Sequence, residues 1–349
     1  MQPKSWPDQV FSGRYGVCHV QGIATDGAYF YISFTTMLLK IDLQGNPVGS
    51  VTGLTGHLGC IASAPDGTVI GSLEYKQDAI GRGILAALGK TERREDAFFV
   101  ARFDTGRIDR MNMDAQTDGV MQLARLTDVC EDYAASVEND GRTVKHRYGC
   151  SGIDGITCLP DPAGEPSVLV AYGIYGDETR TDNDRQVMAR YPWTELTAAL
   201  AADGEIRCAE KCFAETGNTT YGIQNLEYDP YTGLLMAAVY PGTKPCWPNY
   251  PMFWLNPAKH VITPEGSRMA LADQSAKASD GTPVGLCLQT DASTGVTGVD
   301  FPLGSTGIIA LGDGTYYFSE DGSVPTGSDR FYTTIVRYRL TPSGFERMA

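Results

Sequence analysis

An all-β chain built from five copies of one antiparallel unit is the fold class that the sequence predicts, and three observations predict it. Five short apolar strands, each entered through glycine or histidine, recur along the 349 residues. Each is followed by turn residues and a second strand. A third β-branched or aromatic strand then closes the unit.

The repeat is plainest in RYGVCHVQGI, 14–23, and RYGCSGIDGI, 147–156, which share length, opening and ending. The five units begin near residues 19, 57, 152, 222 and 304, with HVQGIATDG, HLGCIASAPDG, GIDGITCLP, GIQNLEYDP and GSTGIIALGDG. Asp-Gly pairs at 26–27, 66–67 and 313–314 are hairpin turns, since glycine accepts the positive φ such turns need. Tyr-Thr-Gly at 231–233 and Pro-Ala-Gly at 162–164 serve longer loops. Third strands follow as MLLKIDLQG, AFFVARFDTG, RQVMARYPW, PMFWLNP and TTIVRYRLTPSG, several alternating apolar with charged residues.

Units that cannot each bury both faces must stack, and radial stacking gives a propeller. A β-sandwich also shows many short strands, but the matched copies favour the propeller. The chain thus resembles the β-propeller superfamily over nearly its whole length. The resemblance implies a single domain over 1–349 with five blades of about 70 residues each. The first-blade segment around Val10 to Arg14 is expected to close the ring as an outer strand of the last blade. Two insertions interrupt the repeat: 76–96, where Ile80, Ile84, Leu85 and Leu88 fall at helical spacing, and 241–285, a long loop rich in Pro and Trp. The first is expected to be a short helix that caps the funnel or makes a dimer contact.

The net charge of −14 disfavours nucleic acid and anionic membrane surfaces as partners. No apolar run reaches a membrane span, and MQPKSWPDQV lacks the features of a signal peptide. Nine scattered cysteines without a C-x-x-C pair suit thiols in a reducing cytoplasm, the expected location. Motifs for dinucleotides, the phosphate loop, H-E-x-x-H zinc sites and the G-x-S-x-G nucleophile elbow are absent.

In a propeller the entering segments rim one channel mouth, so equivalent positions form a ring. Aligning on Ile23, Ile61, Ile156, Leu226 and Ile308 sets Gln21, Gly59, Asp154, Gln224 and Thr306 at one level, with His19 and His57 two positions earlier in their units. Asp300 is the reserve for Thr306 if GVDFP is the entering strand. His19, His57 and Asp154 are therefore the candidate catalytic residues, and Gln21, Gln224, Glu74 and Glu227 the candidate substrate-binding ones. His146 and His260 are read as structural. The expected function is a hydrolase or lyase acting on a small polar, carbohydrate-like molecule at the mouth, with a histidine as acid or base. A divalent cation held by the two histidines and Asp154 is one version of that chemistry. The alternative is a non-catalytic propeller that binds a ligand or protein through Trp247, Tyr250 and Trp254.

Overall fold

The computed structural model describes residues 6–16, 18–91, 95–161 and 164–348. Pro162 and Ala163 of the expected turn, and residues 92–94 of the first insertion, lie outside them. The described chain is mostly β, in a propeller-type arrangement of antiparallel meanders. The first sheet comprises Val20–Thr25, Tyr29–Phe34, Met37–Asp42 and Pro47–Thr52; the second, His57–Ser63, Val69–Tyr75, Ala97–Phe103 and Met121–Leu126. Cys150–Leu159, Ser167–Ile174, Gln186–Pro192 and Glu210–Ala214 form the third. A fourth meander holds Thr219–Asp229, Leu234–Pro241, Met252–Thr263 and Gly266–Leu271, and the parallel Cys212–Ser267 pairing joins it to the third in one continuous eight-stranded sheet. In the last, Ile308–Ala310, Thr315–Ser323 and Phe331–Thr341 are joined by Gln9–Phe11 from the other end of the chain.

The first strand of each sheet lies beside that of the next, and Ile308–Ala310 lies beside Val20–Thr25. Side chains bridge these inner strands. Ser33 Oγ donates to Gly59 O at 2.7 Å, and Asn225 Nδ2 donates to Gln21 O and Ser305 O, both at 2.9 Å. Adjacent sheets pack face to face through apolar side chains. Tyr31 turns toward the second sheet while its neighbours Phe30 and Ile32 turn toward the last, so Tyr29–Phe34 is buried on both faces. That is why YFYISF reads as a continuous apolar run rather than an alternation. Each such fully buried large side chain contributes roughly 1.5–3 kcal/mol.

Outer edges are clasped by the next unit. Val51 pairs in parallel with Met113, Arg125 with Glu205, and Cys212 with Ser267. This covers backbone groups that would otherwise invite another strand. The last sheet is closed by both termini: Gln9 pairs with Val336 and Phe11 with Thr334, while Gly344–Arg347 folds back on Tyr338–Thr341 along the same edge.

Two expectations need correction. The expected single helix, Ala79–Ala87, is present in the first insertion, but Thr127–Ala134 and Trp193–Ala201 are helices as well. The stretch 241–285 is not one long loop, because Met252–Thr263 and Gly266–Leu271 inside it form the outer hairpin of the fourth meander. Thr306 is buried and its hydroxyl donates to Ser319 O at 3.3 Å, whereas Asp300 is exposed, so the Thr306 register holds. No described helix is long and apolar enough to cross a membrane.

Candidate functional site

The ring positions have a common local structure. Ladder register slips between Val20 and Gly22, between Leu58 and Ile61, between Ile153 and Ile156, and between Ile223 and Asn225. Gln21, Gly59, Asp154 and Gln224 thus each sit in a β-bulge, which releases a residue from the ladder and re-aims its side chain. The mouth of these strands is marked by left-handed backbone, with φ of 71° at Cys18, just before Val20–Thr25, and 61° at Tyr221, near the start of Thr219–Asp229. Left-handed backbone at such residues costs on the order of 1–3 kcal/mol and tends to collect at functional sites.

One cavity of about 350 Å³ opens at this end of the inner strands. His19, Gln21, His57, Glu74, Asp154 and Gln224 all line it, and so do Lys76, Tyr221 and Tyr240, which the sequence did not single out. Ile80, Gly83 and Ile84 of the Ala79–Ala87 helix form an apolar wall. The helix begins at Asp78, whose carboxylate caps Gly81 N at 2.9 Å.

Glu74 and His57 face each other across the first two strands of the second sheet. Glu74 is 4% exposed. Its Oε1 accepts from Lys76 Nζ at 2.6 Å and its Oε2 from Ile153 N at 3.1 Å. Burial raises the pKa of Glu74 against the pull of Lys76. Burial works against charge on Lys76 too, but Glu74 and Asp78 overcome it and hold the ammonium above its ordinary value. Lys76 also donates to Ser151 O at 2.9 Å. Burial, then the charge of Glu74, holds the Asp154 carboxyl well above the usual range. Its Oδ2 accepts from Gln224 Nε2 at 3.2 Å. The burial and the Asp154 charge together push Tyr240 up to about 12.

His57 Nδ1 lies 3.7 Å from Asp154 Oδ1 and 3.8 Å from Glu74 Oε1, and has no hydrogen-bond partner among the described residues. Burial, then Lys76 and His19, lowers its pKa to about 3, so the ring is neutral at pH 7. His19 is exposed at the rim, its Nδ1 3.0 Å from Val20 O. Gln21 Nε2 lies 3.3 Å from His19 Nε2 and donates to Thr35 Oγ1 at 3.2 Å.

Glu227 is placed elsewhere. It stands three residues beyond Gln224 on an extended strand, roughly 10 Å further along the channel, and lines a recess at the opposite end. The carboxylate there accepts from Ala310 N at 2.9 Å. Among the described residues no group of three or more His, Cys, Asp or Glu side chains is arranged to hold a metal ion. The Lys76 ammonium takes the place beside Glu74 that a cation would fill. Of the aromatic anchors, Trp254 is fully buried, whereas Trp247 and Tyr250 are half-buried, their rings against Gly217 and Gly298, and Trp247 lines a recess with Asp184 and Arg268. His146 is half-buried against Tyr133, and His260 is exposed on the outer hairpin.

Two expected results follow from this geometry. A Cβ on Gly152, where φ is 136°, would lie 1.9 Å from Glu74 Oε2. Gly152→Ala should therefore break the Glu74–Ile153 bond and cost about 2–4 kcal/mol in urea unfolding. The second concerns acid. Folded His57 stays neutral down to about pH 3, while unfolded histidine gains a proton below 6.5. Its contribution is thus present above 6.5 and lost as pH falls toward 3. The raised carboxyls of Glu74 and Asp154 act oppositely, costing stability as pH rises above their unfolded values. His57→Gln should remove up to one proton from the slope of unfolding free energy against pH between those limits, and an unchanged slope would show that His57 is not held neutral.

Comparison with protein-family models and with curated proteins gave no match. Among solved structures, a glucose dehydrogenase is 12% identical, with 95% of this chain and 99% of that one covered and a TM-score of 0.39. The soluble aldose sugar dehydrogenase of Escherichia coli is 10% identical over 94% and 98% of the two chains, TM-score 0.37. Myxococcus xanthus glutaminyl cyclase is 11% identical over 94% and 98%, TM-score 0.36. Their activities differ from one another, and none is carried over to this chain.

Proposed function

We propose that the chain is a single-domain, five-bladed β-propeller enzyme, a hydrolase or lyase that acts on a small polar, carbohydrate-like molecule in the cavity at the channel mouth. The observation that carries this reading is a carboxyl beside an imidazole: Asp154 Oδ1 and His57 Nδ1 are 3.7 Å apart in a shared cavity, where burial and Glu74 hold the carboxyl well above its ordinary range. Asp154 donates its proton to the departing oxygen. His57 accepts one from the attacking water or from a substrate carbon acid. Once Asp154 is ionised, the imidazolium is stabilised by two carboxylates, Asp154 and Glu74, so each transfer makes the other easier. Return of the proton from His57 to Asp154 resets the pair. Gln21 and Gln224 offer amide groups to substrate hydroxyls, and the helix wall excludes water from one side. Nine unpaired thiols fit a cytoplasmic setting.

The test is turnover of a panel of neutral glycosides, lactones and esters, followed as released acid or reducing ends, by wild type and His57→Gln. At least one class should be turned over by wild type and not by the variant. Binding of a sugar without turnover, unaffected by pH, would instead make the propeller a recognition module.

A further inference from the structure

Beyond the ring the inner strands carry Ile23, Ile61, Ile156, Leu226 and Ile308, none more than 3% exposed and each packed into a different core between sheets. Past this level lies a separate recess of about 180 Å³, room for a handful of waters or one small organic ion. One residue further along, the inner strands carry Ala24, Ala62, Thr157, Glu227 and Ile309. Glu227 is the one charged side chain among the described residues that line the recess.

Its Oε1 is engaged by the Ala310 amide, and among the described residues no lysine, arginine or histidine pairs with it. Glu227 is half-buried, and a partly desolvated carboxyl without a cation is an incomplete arrangement. Burial, partly countered by the Ala310 amide and reinforced by Asp229, pushes its pKa up to about 8. The rim is acceptor-rich. Thr25 Oγ1 already donates to Tyr29 O at 2.7 Å and Ser63 Oγ to Thr25 O at 2.6 Å, so both hydroxyls have spent their protons and present lone pairs. Ile23, Ala24 and Ile309 supply an apolar wall.

We propose that this recess is a second ligand site, for a small primary ammonium ion held by Glu227. Such an ion carries N–H donors and no acceptor, and so complements the carboxylate together with the spent hydroxyls of Thr25 and Ser63 and a Thr157 hydroxyl that accepts from Tyr228 N. Its single charge balances the single carboxylate of the recess, and its alkyl part meets the isoleucine and alanine wall. The net charge of −14 favours its approach.

The test uses the full-length protein with methylammonium chloride, against sodium chloride and tetramethylammonium chloride at equal ionic strength, at a pH above the Glu227 value. Methylammonium should raise the melting temperature by about 2 °C or more, growing with the logarithm of its concentration. Glu227→Gln keeps an oxygen for the Ala310 amide and should abolish the response. In wild type, the Ala310 amide resonance should shift with methylammonium and not with tetramethylammonium, a readout that needs no variant. An equal response to sodium, a response retained in Glu227→Gln, or an unmoved Ala310 resonance would each overturn the proposal. None of these outcomes bears on the Asp154–His57 reading, which concerns the other end of the channel.

Discussion

Asp154→Asn is expected to lower kcat/KM by about two to four orders of magnitude, the usual contribution of a positioned general acid, while the melting temperature stays within a few degrees of wild type. Asparagine keeps the shape and, through its amide oxygen, an acceptor for Gln224 Nε2. It also leaves intact the 2.5 Å bond from Ser72 Oγ to the backbone oxygen of residue 154. What it removes is the transferable proton. Burial and the charge of Glu74 disfavour the ionised carboxyl, and a neutral amide carries no such penalty. Steady-state kinetics and calorimetry on the same preparation decide the matter. A large fall in stability with turnover retained would make Asp154 a packing residue and sink the acid assignment.

Removing the chain up to residue 13 should have the largest effect on stability, a fall in melting temperature on the order of 10 °C. The deletion takes away the Gln9–Phe11 ladder and buried Val10. With them go the Ser12–Thr333 backbone bond of 3.0 Å and the packing of Trp6 on Phe30 and Tyr317. It leaves Thr334–Val336 with a bare outer edge on the last sheet. Scanning calorimetry reads the change. An unaltered transition would mean that the C-terminal hairpin, which already pairs Tyr338–Thr341, slides along to cover the gap.

Much of the site was legible because it lies where local and repeated signals coincide. The entrances carry recurrent glycine and apolar positions, and a residue that departs from the pattern there, such as Asp154 or Gln224, stands out against its copies. Lys76 was readable in principle: it follows Glu74 by two on an extended strand, hence on the same face. Glu227 misled because adjacency to an entrance was taken for height in the channel, and three residues of strand carried it past the apolar level of Leu226 to the other recess. The fourth strand of each sheet left little trace, since Met121–Leu126 and Glu210–Ala214 are short and held partly by the neighbouring unit. The helix Trp193–Ala201 follows a strand without a capping side chain, so its start carries no cap signal. The neutrality of His57 was invisible for a different reason. It arises from burial beneath a helix and from Lys76 and His19, none of which a single segment encodes.

The bulges at the mouth separate what the sheet needs from what the cavity uses. A residue extruded from the ladder can change identity without shifting the strand's register or turning its neighbours over, so new chemistry can be tried at Gln21, Asp154 or Gln224 one position at a time. Gly59 marks the limit of that freedom: a Cβ there would meet Ser72 Oγ at 2.6 Å and Asp154 Oδ1 at 3.0 Å. Redesign of specificity in this scaffold therefore has three adjustable seats and one that must stay empty, and a library confined to those seats samples ligands without sampling folds.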